Sequence, residues 1–398
     1  MNIYPNNRTP ISIVGAARTP SGCFKGSLRS LSATELGAAA IKGALFKAGI
    51  NPDQVNEVIM GCVLPAGLGQ APARHAALKA GLPTSAGCTT INKVCGSGMK
   101  ATMLAHDLIV AQGKGIFVAG GMESMSNAPY LVAPGTELPI NSKDAMKHHM
   151  FFDGLQDAET GRSMGIYAQD LADEKGYSRA RMDAFASESL SRAKRAVTNG
   201  DFKEEIIPLT TTTEQGSLTI VDDEQPALAQ LEKIPHLKPA FKENGSITAA
   251  NSSSISDGAS ALVLMDETTM LEQNITPLAH IIGHATHAQH PSLFSTAPIS
   301  AIENLLAKIG WHKDEVDLWE INEAFALVAL LAIDALKLDP AKVNVRGGAC
   351  ALGHPIGSSG CRIIVSLIYA LRQLGGKRGI ASLCIGGGEA TAIAIEIP

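Results

Sequence analysis

The chain carries an internal repeat, and a repeat of this kind sharply limits the folds open to it. Asp53-Gln-Val-Asn-Glu-Val58 resembles Asp314-Glu-Val-Asp-Leu-Trp319. After the first copy, Cys95-Gly-Ser-Gly98 precedes a helical stretch and a strand ending in Gly120-Gly-Met-Glu123. After the second, Gly357-Ser-Ser-Gly360 precedes a helical stretch (Ile363, Ile364, Leu367, Ile368, Leu371), then Ile380–Ile385 and Gly386-Gly-Gly-Glu389. Each match is short, but their shared order marks a duplication. Two copies of one strand–helix unit bury similar faces against each other, which predicts two homologous α/β halves.

The first copy reads as a strand Ile11–Ala16, a helix over Thr34–Lys47 closed by Gly49, and a strand Val55–Met60. A helix over Pro72–Ala80, an apolar stretch Ala86–Ile91, a helix over Met99–Val110 and a strand Ile116–Ala119 follow. From Ser124 to Ala250 this rhythm stops. That stretch holds His148-His149-Met-Phe-Phe152, a charged helix over Arg179–Asn199 and a polar tract, Thr210–Gln225. Insertions on a rigid scaffold commonly bind ligands or partner subunits. The expected organisation is residues 1–123 plus 251–276 as an N-terminal half, 124–250 as a loop domain and 277–398 as a C-terminal half.

Composition narrows the function classes. With 45% hydrophobic residues, 4% aromatic and 39 glycines, the chain suits apolar sheets joined by tight turns. A net charge of −5, no long basic run and few stacking rings speak against nucleic acid. The polar start, Met1–Pro10, lacks signal-peptide character, and the richest apolar run, Ala324–Ala335, is too short to span a membrane. The 7 cysteines show neither CxxC pairs nor zinc-ligand spacing. The expectation is a cytoplasmic protein with reduced thiols and no metal.

Four local features carry chemistry. Cys95 stands at a strand–helix junction with glycines at 96 and 98; a helix N-terminus favours a thiolate, and the Cys95 N–H is itself a candidate oxyanion donor. Read locally, it is either a reactive thiol or a buried structural one. His354, in a glycine-punctuated loop, is a loop histidine or, near a cysteine, a base. Cys384 alone reads as a core residue, and Asn322-Glu323 as the cap of an apolar helix.

Together, Val94-Cys-Gly-Ser-Gly98, Asn322-Glu-Ala-Phe-Ala326, Gly353-His-Pro-Ile-Gly357 and Cys384-Ile-Gly-Gly-Gly388 resemble the thiolase family, from Arg18-Thr-Pro20 to the C-terminus. The resemblance implies a layered αβαβα fold with an inserted loop domain. It also implies an acetyl-CoA C-acyltransferase that condenses two acetyl-CoA through an acyl-cysteine. By the resemblance, Cys95 is the nucleophile, His354 its base and Cys384 the base toward the second acetyl group. One oxyanion hole is His354 with a water held by Asn322; the other is the N–H groups of Cys95 and Gly386. The matching CoA-facing positions are Met164, Phe241, Ala249, Ser253, Ala324 and Phe325. CoA and acyl-CoA are then the partners, with no separate cofactor, in a homodimer or homotetramer.

The chain departs from the family pattern at Ser163, Ser254, Phe294 and Glu389, and has Pro226-Ala227 where a CoA-contacting arginine is expected. The alternatives are a β-oxidation 3-ketoacyl-CoA thiolase for longer chains, a decarboxylating ketoacyl synthase, and a non-catalytic acyl-CoA-binding protein.

Overall fold

In the first copy the chain runs β1 (Ile11–Arg18), β2 (Gly22–Cys23), α1 (Ala33–Ala48), β3 (Glu57–Gly61), α2 (Pro72–Lys79), β4 (Gly87–Ile91), α3 (Ser97–Gln112) and β5 (Ile116–Ser124). Local chemistry sets the bounds of α1. Ser32 and Glu35 form a reciprocal capping box at its start, and Gly49 ends it in the left-handed region (φ 67°). The computed structural model describes residues 10–136, 146–213 and 216–398. Most of the polar start (1–9), part of the inserted stretch (137–145) and part of the polar tract (214–215) lie outside the described residues.

The inserted stretch contributes β6 (Tyr130–Val132), β7 (Met146–His148), α4 (Met164–Lys175), α5 (Arg179–Asn199), β8 (Leu209–Thr213), β9 (Gly216–Ile220) and α6 (Glu224–Leu228). Buried ion pairs tie it to the first half: Arg18 meets Glu205 at 2.5 Å and Asp223 at 2.6 Å. The chain then runs β10 (Ser256–Asp266), α7 (Glu267–Glu272), β11 (Ala279–Ala288), α8 (Ala297–Ile309), β12 (Leu318–Ile321) and α9 (Ala326–Leu336). It finishes with α10 (Ala349–Leu352), α11 (Ile356–Leu374), β13 (Arg378–Ile385) and β14 (Glu389–Glu396).

The main sheet has the order β12-β13-β14-β11-β1-β10-β5-β3-β4. Read outward from its centre, it repeats: β1, β10, β5, β3, β4 on one side and β11, β14, β13, β12 on the other. Val343 bridges Trp319 in parallel, as β4 pairs with β3 in the first copy. Ile11, Ser12 and Ile13 pair with Ile281, His280 and Ala279 to join the halves.

Three of the apolar cores hold the layers together. Leu36, Ile41, Val58 and Met122 bury α1 against the first half. Leu305, Trp319, Ile321 and Ala329 do the same for α8 and α9 in the second. Between the halves, α3 and α11 pack together and bury Met99, Met103, Ile364 and Leu367 among strand residues of both copies. The result is αβαβα layering, the predicted fold.

The strand read over Ile116–Ala119 and ending in Gly120-Gly-Met-Glu123 is continuous: β5 pairs with β10 as far as Ser124↔Asp257. A side chain at Gly121 would put its Cβ 1.9 Å from the Gly357 carbonyl oxygen. The glycine therefore serves close approach rather than a turn, and lets the start of α11 touch the sheet. The beginnings of α3 and α11 and the end of β5 consequently meet at the middle of the molecule.

Candidate active site

The turn before α3 is built from its own side chains. Asn92 Oδ1 accepts from the Val94 N–H (2.8 Å), and Ser97 Oγ accepts from the Lys93 N–H (2.8 Å) while donating to the Val94 carbonyl (2.7 Å). These bonds hold Val94 at φ 45°, an uncommon conformation for a β-branched residue. Cys95 follows at the tip, half-buried. The thiolate expected from the nearby helix start is not its resting form. Burial pushes the thiol up to about 11, although the backbone N–H groups of Gly386 and of Cys95 itself pull the other way. Two elements from opposite halves thus aim backbone donors at one atom.

Cys384 lies on β13 opposite Ala390 of β14 and is fully buried. Burial raises its thiol well above the ordinary value, and the neighbouring Cys95 raises it further. The two cysteines that sequence separates thus meet at one place, lining the same cavity.

His354 is set by the loop before α11. Its N–H donates to the Ser254 carbonyl at 3.1 Å, and its Nδ1 lies 2.5 Å from Ser359 Oγ. The Ser359 hydroxyl spends its only proton on the Pro355 carbonyl (2.9 Å). With that proton on the Pro355 carbonyl, Nδ1 is the donor and the lone pair lies on Nε2, a buried atom without a partner among the described residues. Burial, then the Arg362 charge, pushes the imidazole down to about 3, so it is neutral at physiological pH. Ser359 is a site residue that motif reading missed.

Asn322 is no helix cap, since α9 begins at Ala326 after Phe325. It is buried just after β12, its Oδ1 accepts from Arg362 Nη2 at 3.4 Å, and its Nδ2 has no partner among the described residues. Arg362 thereby orients the amide with the donor end free. Its neighbour Glu323 is structural, accepting from Ser189, Asn344 and the Cys350 N–H. A second residue without an assigned role is Glu123, which accepts from the N–H groups of Val63, Leu64 and Gly357. Burial pushes its carboxyl up to about 7.

A cavity of about 470 Å³ opens onto these groups, within the range of small-molecule sites. Cys95, His354, Cys384 and Gly386 line it, together with all six CoA-facing positions, Met164, Phe241, Ala249, Ser253, Ala324 and Phe325. Asn322 is not in its wall. Met125, Phe151, Leu155, Gln225 and Ile356 are, none of them among the site residues expected from sequence. Among the described residues one group could hold a metal ion, His106, Asp107 and His284, and it lies outside this cavity.

Residues 11–268 match the family model of the thiolase N-terminal domain, and residues 275–397 that of the thiolase C-terminal domain. This chain belongs to the thiolase family. It is similar to the acetyl-CoA acetyltransferase of Schizosaccharomyces pombe, 47% identical over 390 residues that cover 98% of this chain and 99% of that protein. Among solved structures it resembles the acetyl-CoA acetyltransferase of Bacillus anthracis (TM-score 0.94, 36% identity, covering 99% and 100% of the two chains). It also resembles a thiolase of Ascaris suum in complex with coenzyme A (TM-score 0.91, 40% identity, 98% and 100%).

In this thiolase three of the departures share the cavity wall: Ser163, Ser254 and Phe294. Phe294 stands edge-on to Phe325, with ring centroids 6.2 Å apart, and so narrows the apolar part of the cavity. Glu389 pairs with Lys93.

Proposed function

We propose that this thiolase is an acetyl-CoA C-acetyltransferase, condensing two acetyl-CoA to acetoacetyl-CoA and CoA and running the reverse thiolysis. The observation that carries this is the meeting of two cysteines, a neutral histidine with an open lone pair, and two backbone donors at one apolar cavity. The names of its full-length relatives support the substrate class. In this reading His354 Nε2 takes the Cys95 proton while the sulfur attacks the thioester carbonyl. The tetrahedral oxyanion, on the carbon bonded to Cys95 Sγ, meets the N–H groups of Cys95 and Gly386. CoA thiolate leaves and takes the Cys384 proton.

The Cys384 thiolate then removes a proton from the methyl of the second acetyl-CoA, the carbanion attacks acyl-Cys95, and the Cys95 C–S bond breaks as the thiolate recovers its proton from the His354 imidazolium. A raised thiol pKa suits that step, because a strong base is needed for a weak carbon acid. The enolate oxygen of that second acetyl-CoA is met by the His354 imidazolium Nε2–H and a water on Asn322, and the oxyanion formed on acyl-Cys95 again by the N–H groups of Cys95 and Gly386. CoA is substrate and product, so no cofactor is consumed. A cytoplasmic homodimer or homotetramer completes the reading.

The test is CoA-dependent cleavage of acetoacetyl-CoA beside a long-chain 3-ketoacyl-CoA. Acetoacetyl-CoA should be the better substrate, Cys95→Ser should form no acyl-enzyme, and Cys384→Ser should acylate yet make no carbon–carbon bond. Folded protein that cleaves neither substrate refutes the proposal.

A further inference from the structure

The two turns that direct N–H groups at the Cys95 sulfur come from opposite halves, and something must fix their separation. On the inner side they touch only because glycines leave room. A Cβ at Gly96 would lie 2.4 Å from Ile385 Cδ1, and one at Gly386 would lie 3.4 Å from Val94 Cγ1. The Gly386–Gly388 turn is intrinsically permissive, with Gly387 and Gly388 at φ 90° and 88°. Its far side is held by one backbone bond, from the Gln289 N–H to the Gly388 carbonyl (2.9 Å). Packing of this kind sets a minimum distance between the turns but does not stop them parting.

The ion pair of Lys93 and Glu389 closes the remaining side. Lys93 lies two residues before Cys95. Glu389 is the register partner of Ile385 across the β13–β14 hairpin, so its side chain leaves the same face as the Ile385 side chain that packs on Gly96. The two side chains are 20% and 35% exposed, so water screens the pair incompletely. Neither has a part in the proton transfers above.

We propose that Lys93 and Glu389 are positioning residues, a latch between the halves that sets the spacing of the Cys95 and Gly386 N–H groups and so the oxyanion site they form. This rests on the thiolase reaction proposed above. A small displacement of such donors is costly to the rate and nearly invisible to substrate affinity.

The test uses the full chain carrying Glu389→Gln, Lys93→Met or the charge-swapped double variant K93E/E389K, with acetoacetyl-CoA thiolysis as the readout. Each single variant is expected to lower kcat about fivefold, with KM within about twofold, at wild-type melting temperature. The swapped pair should recover most of the lost kcat, which a merely bulky or polar role would not produce. Single variants with wild-type kcat, losses confined to KM, or a double variant as slow as the product of the two singles would overturn the latch. If one single variant does not fold, the other single and the swapped pair decide. An inactive wild-type enzyme would instead overturn the reaction on which the latch rests.

Discussion

Ser359→Ala isolates the device that keeps His354 a base. The mutation removes the 2.5 Å partner of Nδ1 at a fully buried position and leaves Cys95, Asn322 and Cys384 untouched. A net hydrogen bond of about 1 kcal/mol then no longer favours the Nδ1–H tautomer, and the Nδ1–H left buried without a partner costs about 1–3 kcal/mol. At about 1.4 kcal/mol per tenfold in rate, acylation of Cys95 by acetyl-CoA should slow about tenfold. Urea unfolding should report a stability loss of about 1–3 kcal/mol. Ser359→Thr keeps the hydroxyl and should stay within about threefold of wild type. The assay is rapid-quench mass spectrometry of the acyl-enzyme in a single turnover. Folded Ser359→Ala that acylates at the wild-type rate would show that the tautomer is fixed by something else.

Three further outcomes are expected. Arg362→Lys keeps the charge but loses the Nη2 contact that orients Asn322, so kcat should fall about tenfold with KM little changed; steady-state kinetics check this, and an unchanged kcat contradicts it. His354 is held near 3 in the fold against an ordinary value of 6.5, so between those values the unfolded chain binds a proton that the native one does not. Its contribution to stability is thus complete above pH 6.5 and is lost as pH falls toward 3. A urea series should show a shallower acid loss for His354→Asn, and an identical slope argues against a neutral buried imidazole. Phe294→Ala should widen the cavity and raise kcat/KM for 3-ketohexanoyl-CoA relative to acetoacetyl-CoA about tenfold, two further methylenes being worth about 0.8 kcal/mol each; an unchanged ratio places the acyl chain elsewhere.

The features legible in sequence are those whose cause is contiguous in the chain. The repeat is legible because each copy carries its own strands, helices and turn glycines, and Arg179–Asn199 because its caps, Ser178 and Gly200, directly flank it. Cys95 announces itself because the turn that strains Val94 is made by Asn92 and Ser97, both in view. Cys384 has no such signal: its neighbours make an apolar strand, and its meaning comes from Cys95 in the other half. Ser359 and Arg362 were missed for the same reason. They lie on one helix, yet one fixes a histidine before that helix and the other an asparagine on β12. Even at Cys95 the local signal misled about ionisation, since a helix start favours a thiolate but the second half buries the sulfur and raises its pKa. Both errors have one source. The site is the seam between two copies, so what each residue does is decided by the copy it does not belong to.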